Sequence, residues 1–497
     1  INKRIDDFTV VVNAGTSLSD NSSDLLGYGG PIRDTGVPNV FNVFDLDNAK
    51  KRATQEGWEE MTQSIFASAE IGWKSMLYLT LTGRNDWASQ LKGSNPTSFF
   101  YPSVGLSAVI SEMVTLPKAI DYLKVRGSFS SVGTPYPRFL VQPTYSYDPT
   151  KQDWNAKTHY PIGKLKPERT DSWEIGVDGT FFKDFKVSGS FYYANTYNQT
   201  FDPKITVSSG YSTLYVQTGY VRNLGVEGLL SYGHTWRDFG WNSNFTFSWN
   251  KNKIVELVKD YVHPETGEIV NKDRLELKGL GYTKFILKEG GTLGDLYTNA
   301  DFIRDDKGYI QIDKNGDVAK TDNLPDIKLG SVFPKANLAW NNSFSYKGIY
   351  AGFQLSARLG GIVYSATQAA LDQYGVSEAS AAARDRGGVL VNGRSWVNAQ
   401  QYYEIVATSS GLPQYYTYSA TNLRLQEAHI GYTIPRKWLG NICDINVSVV
   451  GRNLWMIYCK APFDPEAIAT TSNFYQGIDY FMMPSTRNFG FNVKINF

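Results

Sequence analysis

Asp313, Asn315 and Asp317 occupy every second position of Asp313-Lys314-Asn315-Gly316-Asp317, the spacing at which oxygen ligands open a calcium loop. Such a loop needs glycine at its sixth position and glutamate at its twelfth. Here those positions hold Val318 and Leu324, so the segment reads equally as an acidic surface turn. The histidines, His159, His234, His263 and His429, lie too far apart for zinc-ligand spacing, and no acidic residue sits between two of them as in a metalloprotease helix. Neither a Gly-x-Ser-x-Gly elbow nor a phosphate-cradling P-loop occurs. The sequence therefore calls for no cofactor and no catalytic set. Cys443 and Cys459 are the two cysteines; an oxidising compartment would permit a bridge, and the sequence leaves their pairing open.

Aromatic side chains are the other candidates for contact with a ligand. The stretch 399–420 carries Tyr402, Tyr403, Tyr415, Tyr416 and Tyr418, and the stretch 133–167 carries Tyr136, Tyr145, Tyr147, Trp154 and Tyr160. On long loops such rings can stack on sugars or grip peptides, or pack loop against loop. The alanine-rich run from Ala366 to Arg386 predicts a short helix folded over the mouth of whatever the loops surround, a candidate surface for a lid partner.

The elements that must hold these loops announce themselves by a period of two. Phe489, Phe491, Val493, Ile495 and Phe497 alternate with Asn488, Gly490, Asn492, Lys494 and Asn496. Trp241, Ser243, Phe245, Phe247 and Trp249 alternate with Asn242, Asn244, Thr246, Ser248 and Asn250, and Ile349 to Leu359 repeats the pattern around Gln354, Ser356 and Arg358. Runs of about 9–12 residues are the length with which a tilted strand crosses a bilayer. One face then meets lipid and the other a water-filled lumen. A charge on the lipid face at the midplane would cost roughly 2–4 kcal/mol, so Arg358 and Lys494 are expected to point inward or to lie near an interface.

Composition agrees. The 497 residues are 42% hydrophobic and 14% aromatic, with 32 Tyr, 27 Phe and 12 Trp, yet mean hydropathy is −0.33. A wall with aromatic girdles at both interfaces has reason to be both aromatic and polar. Net charge is +1, from 49 basic and 48 acidic residues, which gives no electrostatic case for nucleic acid. No run of eighteen apolar residues predicts a spanning helix, and Ile1-Asn2-Lys3-Arg4 is followed by no leader-like apolar segment.

The alternation predicts about fourteen long strands, starting near residues 3, 61, 75, 99, 119, 168, 185, 223, 239, 335, 348, 421, 443 and 486. Tight joins such as Gly72–Ser75, Phe182–Phe185 and Tyr346–Gly348 alternate with long ones at 19–60, 84–98, 133–167, 200–222, 259–334, 363–420 and 455–485. Outer-membrane barrels alternate short periplasmic turns with long extracellular loops in this way. The fold expected is all-β, an antiparallel transmembrane β-barrel, with residues 1–497 as one wall portion. If Phe497 ends a descending strand, the first strand ascends.

Several stretches, taken in order, resemble the barrel of the SusC-type TonB-dependent transporters. They are Thr82-Gly83-Arg84-Asn85-Asp86-Trp87, Tyr101-Pro102-Ser103-Val104-Gly105-Leu106, Leu165-Lys166-Pro167-Glu168-Arg169-Thr170 and Asn223-Leu224-Gly225-Val226-Glu227-Gly228. Leu423-Arg424-Leu425, Gly431-Tyr432-Thr433-Ile434-Pro435 and Gly451-Arg452-Asn453-Leu454 follow. The resemblance implies the C-terminal part of a barrel of roughly 22 strands with a plugged lumen. It implies uptake of oligosaccharides or peptides together with a SusD-type surface lipoprotein, and coupling to TonB through an N-terminal plug region that nothing in this chain resembles. Likeness to outer-membrane proteins generally implies that Phe489, Phe491, Val493, Ile495 and Phe497 serve as an insertion signal. Alternatives are a passive fourteen-stranded porin-like channel, an outer-membrane enzyme and a soluble all-β adhesin.

Overall fold

The computed structural model describes all residues except 35–39, 41, 94–96, 135–137, 139–145, 149–152, 156–158, 161–166, 202–212, 215, 263–266, 268 and 471–475. Outside the described residues fall Tyr136, Tyr145, His263, Leu165 and Lys166.

Fifteen strands pair in chain order into one antiparallel sheet. They are β1 (Asn2–Ile5), β2 (Phe8–Gly29), β3 (Arg52–Trp73), β4 (Leu77–Ala88) and β5 (Ser98–Val109). Next come β6 (Ile120–Thr134), β7 (Glu168–Phe181), β8 (Phe185–Phe201), β9 (Val216–Trp236) and β10 (Phe239–Glu256). The last are β11 (Ala336–Tyr346), β12 (Ile349–Leu359), β13 (Asn422–Ile434), β14 (Asp444–Cys459) and β15 (Asn488–Asn496). The run that the alternation starts near residue 3 is in fact a hairpin. β1 has only four residues and turns into β2 at Asp6, whose φ is 48°. The strand from Phe8 is thus the second, and it is β2 rather than β1 that runs away from the short-turn side.

The tight turns show why the register is fixed. Lys74 and Ser75 have φ of 48° and 58°, Phe182 and Lys183 of 50° and 63°, and Lys347 and Gly348 of 47° and 89°. Two successive positive-φ residues give a turn whose twist matches that of the flanking strands. Neighbouring turns are also tied together: Lys74 to Asp7 at 3.3 Å, His234 to Asp184 at 2.7 Å and Lys347 to Asp238 at 3.7 Å.

Pairing without slippage keeps the two faces chemically distinct. One continuous row runs Arg126, Gly176, Ser190, Glu227, Ser248, Asn337, Arg358 and Asn422. The row beside it, pointing the other way, runs Leu106, Gly127, Ile175, Phe191, Val226, Trp249, Ala336 and Leu359. Ile175, Phe191 and Val226 are exposed, as an apolar band facing hydrocarbon must be. Near the short turns Phe185, Tyr232, Trp241 and Phe344 form an aromatic chain with ring centroids 4.7–6.4 Å apart. That is one interfacial girdle.

The wall has little core of its own; the buried residues gather above it. Three long connections, 257–335, 360–421 and 460–487, fold into a lobe. The first supplies a four-stranded sheet (Arg274–Lys278, Lys284–Lys288, Asp295–Thr298 and Ile327–Ser331). The second supplies three helices, α1 (Ala366–Gln373), α2 (Glu378–Asp385) and α3 (Ala399–Val406). The second and third share a three-stranded sheet of Thr417–Ser419, Ile362–Ser365 and Ile478–Asp479. Phe285, Leu296, Val332, Tyr364, Tyr416 and Ile478 meet in one buried cluster drawn from all three connections.

Candidate functional site

The lobe leans into the lumen. The inward-facing Asn252 of β10 accepts the Leu293 amide at 3.0 Å, and Ile254 exchanges backbone hydrogen bonds with Gly290 and Gly291 at 2.8 and 2.9 Å. Val221 and Ile254, inward on β9 and β10, are buried with Leu257, Leu287 and Leu293. Their neighbours Arg222 and Lys253 alternate to the outside. The guanidinium of Arg358 donates to the Val332 carbonyl at 2.9 Å, which places that charge at the lobe end of β12, near an interface as the alternation requires.

Three buried acids fasten the lobe. Asp372 on α1 accepts from Tyr416 Oη at 2.9 Å, from Gln368 at 3.3 Å and from Ser377. Burial, then the Asp372 charge, push the Tyr416 phenol far above its ordinary value. Asp479 accepts from Ser365 at 2.5 Å and Thr367 at 3.0 Å, stitching the third connection to α1. Asp464 receives both arms of Arg424 of β13, at 2.8 and 3.0 Å. Irregular register at Leu423/Arg424 and Leu425/Glu427 flanks that arginine, and such bulges re-aim a side chain. Burial alone would push the Asp464 carboxyl up; the Arg424 guanidinium and the Glu466 amide outweigh it and hold it below the usual carboxylate range.

Below the lobe the luminal wall is polar. Arg126 lies 2.8 Å from Asp178 and 3.2 Å from Glu174, and Ser188 donates to Asp178 at 2.6 Å. Arg126, Ser188, Ser190, Glu227 and Ser248 line one shallow concavity. This is a surface for transient hydrogen bonding along a path, with charges compensated in place.

The sequence-predicted aromatics divide into two groups. Tyr147 and Trp154 face each other across a short hairpin, ring centroids 5.3 Å apart, and stay exposed at 50% and 61%. Tyr402, Tyr403, Tyr415 and Tyr416 are brought together in the lobe instead. Tyr416 is 4% exposed and Tyr402 lies 5.4 Å from Tyr403, whereas Tyr415 packs edge-on to Phe302 and stays 40% exposed. Burial pushes the phenols of Tyr402 and Tyr418 up to about 12. The lobe also exposes Tyr374 and Val376 after α1, the cross-strand pair Leu390 and Trp396, and Tyr480, Phe481 and Met483 of the third connection.

The remaining candidates are scattered. Asp313 accepts the amides of Asn315 and Asp317 at 2.8 and 3.0 Å, closing a turn with Gly316 at φ 86°. These amide bonds hold its carboxyl below the usual range. Cys443 and Cys459 are free thiols at opposite ends of β14. Its 16 residues put them roughly 50 Å apart, which rules out a bridge between them. Phe489, Phe491, Val493 and Ile495 pair along β14 from Gly451 to Ile445 and are exposed with Phe497. Arg126, Arg424 and Asp464 were not singled out as site residues from the sequence, because charges recur on these strands and connections and no local pattern marks which of them pair.

Residues 3–454 match the family described as "TonB dependent receptor-like, beta-barrel". TonB-dependent receptor P3 of Formosa agariphila is 24% identical over 463 residues, covering 87% of this chain and 45% of the relative. TonB-dependent receptor SusC of Bacteroides thetaiotaomicron is 24% identical over 246 residues, 44% of this chain and 24% of SusC. Among solved structures, the RagAB peptide importer in its "closed-closed" state superposes with a TM-score of 0.75 at 17% identity, over 100% of this chain and 54% of that one. That likeness is one of fold. The chain spans about half the length of the relatives it matches most fully.

Proposed function

The chain belongs to the TonB-dependent receptor-like β-barrel family of the bacterial outer membrane, and from that premise we propose that it forms the C-terminal channel wall and extracellular gate of an importer. In this reading the cargo is an oligosaccharide or peptide, a SusD-type surface lipoprotein covers the mouth, and TonB supplies the pull through a plug. The observation that carries it is the lobe. A passive pore gains nothing from three long connections welded around one core and leaning over the lumen. A gate that must open and reseal needs such a rigid body.

Further support comes from two features. The exposed Tyr374, Val376, Leu390 and Trp396 suit a partner surface, since aromatic anchors dominate interface energetics. The sheet's outer strands β1 and β15 are each paired on one side among the described residues, and a bare edge is not tolerated in hydrocarbon. The relatives' additional length provides for the strands and plug that would close the ring. The exposed terminal pattern from Phe489 to Phe497 remains our proposed insertion signal.

Cells expressing the full-length protein test the reading through uptake of labelled oligopeptides and oligosaccharides. One of the two classes is expected to accumulate, and accumulation should collapse to background when a protonophore dissipates the proton gradient. Uptake indifferent to the protonophore would replace the importer with a passive channel.

A further inference from the structure

The outward face of the wall carries a basic cluster over two adjacent outward rows. Arg222 of β9, Lys251 and Lys253 of β10 all alternate to the lipid side, because Val221, Asn223, Asn252 and Ile254 are held inward. Lys253 is the direct cross-strand partner of Arg222, and Lys251 that of Leu224. Among the described residues no acidic side chain pairs with Arg222, Lys251 or Lys253; the nearby Asp171 is taken by Arg169 at 2.7 Å.

Arg222 is built in rather than loosely displayed. Its guanidinium donates to Tyr220 Oη at 2.6 Å and to Asn195 Oδ1 at 3.3 Å, and lies 5.1 Å from the centroid of Tyr193. Asn195 is itself buried and also accepts from Tyr220 Oη at 3.0 Å. Tyr220 in turn stacks on Tyr197 at 4.9 Å. An arginine so braced has lost its rotamer freedom beforehand and keeps N–H donors that can fork onto two oxygens of an anion.

The depth identifies the anion. Tyr232, in the girdle at the short-turn side, and Arg222 lie on the same strand and the same face. Ten residues at about 3.3 Å, tilted by about 40°, raise Arg222 roughly 25 Å above that girdle. The apolar band of such a barrel is about 25 Å tall, so the cluster stands at the opposite headgroup level, on the long-loop side. Trp173 and Tyr193, in the row of Lys251, and Trp249, one outward row nearer the midplane, form the second girdle. Cations placed there meet the phosphates of outer-leaflet lipid.

We propose that Arg222, Lys251 and Lys253 form a binding site on the outside of the wall for the phosphorylated headgroup of an outer-leaflet lipid. It would fix the depth and rotation of the wall in the membrane next to the strands that carry the lobe. The inference rests on the barrel fold and not on the importer reading.

The test uses the full-length protein in detergent micelles doped with diphosphorylated lipid A or with its dephosphorylated counterpart. Retained lipid is counted by native mass spectrometry. The wild type is expected to retain the phosphorylated lipid, and the R222Q/K251Q/K253Q variant to retain it about a hundredfold more weakly, given three interfacial cations. The single variant K253Q, outside the Arg222–Asn195–Tyr220 network, should show an intermediate loss and guards against misfolding of the triple variant. Equal retention of the two lipids, no loss in either variant, or displacement of the lipid by millimolar inorganic phosphate would overturn the assignment; the last would point to free phosphate as the ligand.

Discussion

Replacing Arg424 by alanine is expected to release the third extracellular connection from the wall. The Arg424 and Asp464 side chains are only 6% and 9% exposed and meet through two parallel hydrogen bonds. Glu466 approaches the same guanidinium at 3.4 Å, and Asn422 bridges to Glu466 at 3.0 Å. Removing one partner of a buried pair strands the other charge, at a cost of about 3–5 kcal/mol. Part of that cost falls on local opening, because Asp464 sits on a connection and not on a strand of the wall. Hydrogen exchange of the full-length protein in detergent should show deprotection confined to residues 460–487, with β13 and β14 still protected. The apolar double replacement Arg424→Met with Asp464→Leu should recover most of the protection. Acid acts in the same direction. The folded carboxyl lies below its unfolded value, so the clamp is intact above the ordinary carboxylate range and is lost as pH falls through the depressed value. Unchanged exchange in Arg424→Ala would mean that Asp479 and Ile478 alone hold the connection.

Phe285→Ala should have a comparable effect on the lobe as a whole. Phe285 is 0% exposed and packs where all three connections meet. Truncating a buried phenylalanine costs about 3–5 kcal/mol through lost burial and the cavity left behind. The wall shares none of that core, so the expected result is selective. Limited trypsin digestion should cut within 257–335 and 360–421, while the strands remain resistant and the protein still migrates as a folded barrel. Resistance equal to wild type would show that the lobe draws its stability from the wall instead of from its own core.

The wall was legible in the sequence because lipid and water enforce a period of two over many residues, and nothing else in the chain repeats so regularly. β1 escaped for the same reason: four residues are too few to display a period, and Asp6 bends the chain before one accumulates. The lobe was not legible. Its strands are 2–5 residues long, and its core unites Phe285, Tyr364 and Ile478 from connections far apart in sequence. A core assembled in this way leaves no local pattern.

Tyr416 shows the consequence. By composition it looks like an exposed loop ring; its hydroxyl is committed to the buried Asp372. Tyr147 and Trp154, chosen on the same grounds, do stay exposed. The difference lies in what else folds onto the loop. The alanine-rich run behaved better, since helix period is local; it is two helices joined at Gly375, whose φ of 70° ends the first. Asp313 resembles a ligand because the spacing that presents oxygens to a cation also lets one carboxylate close a turn on its own backbone.

Native mass spectrometry of the full-length protein, extracted from its own outer membrane in mild detergent, tests the central claim most directly. The account predicts a barrel subunit substantially heavier than the 55.7 kDa of this chain, carrying a surface lipoprotein that dissociates when Tyr374 and Trp396 are both replaced by serine. A species of about the mass of this chain alone, without plug or lipoprotein, would contradict the gated importer and leave a passive channel in its place.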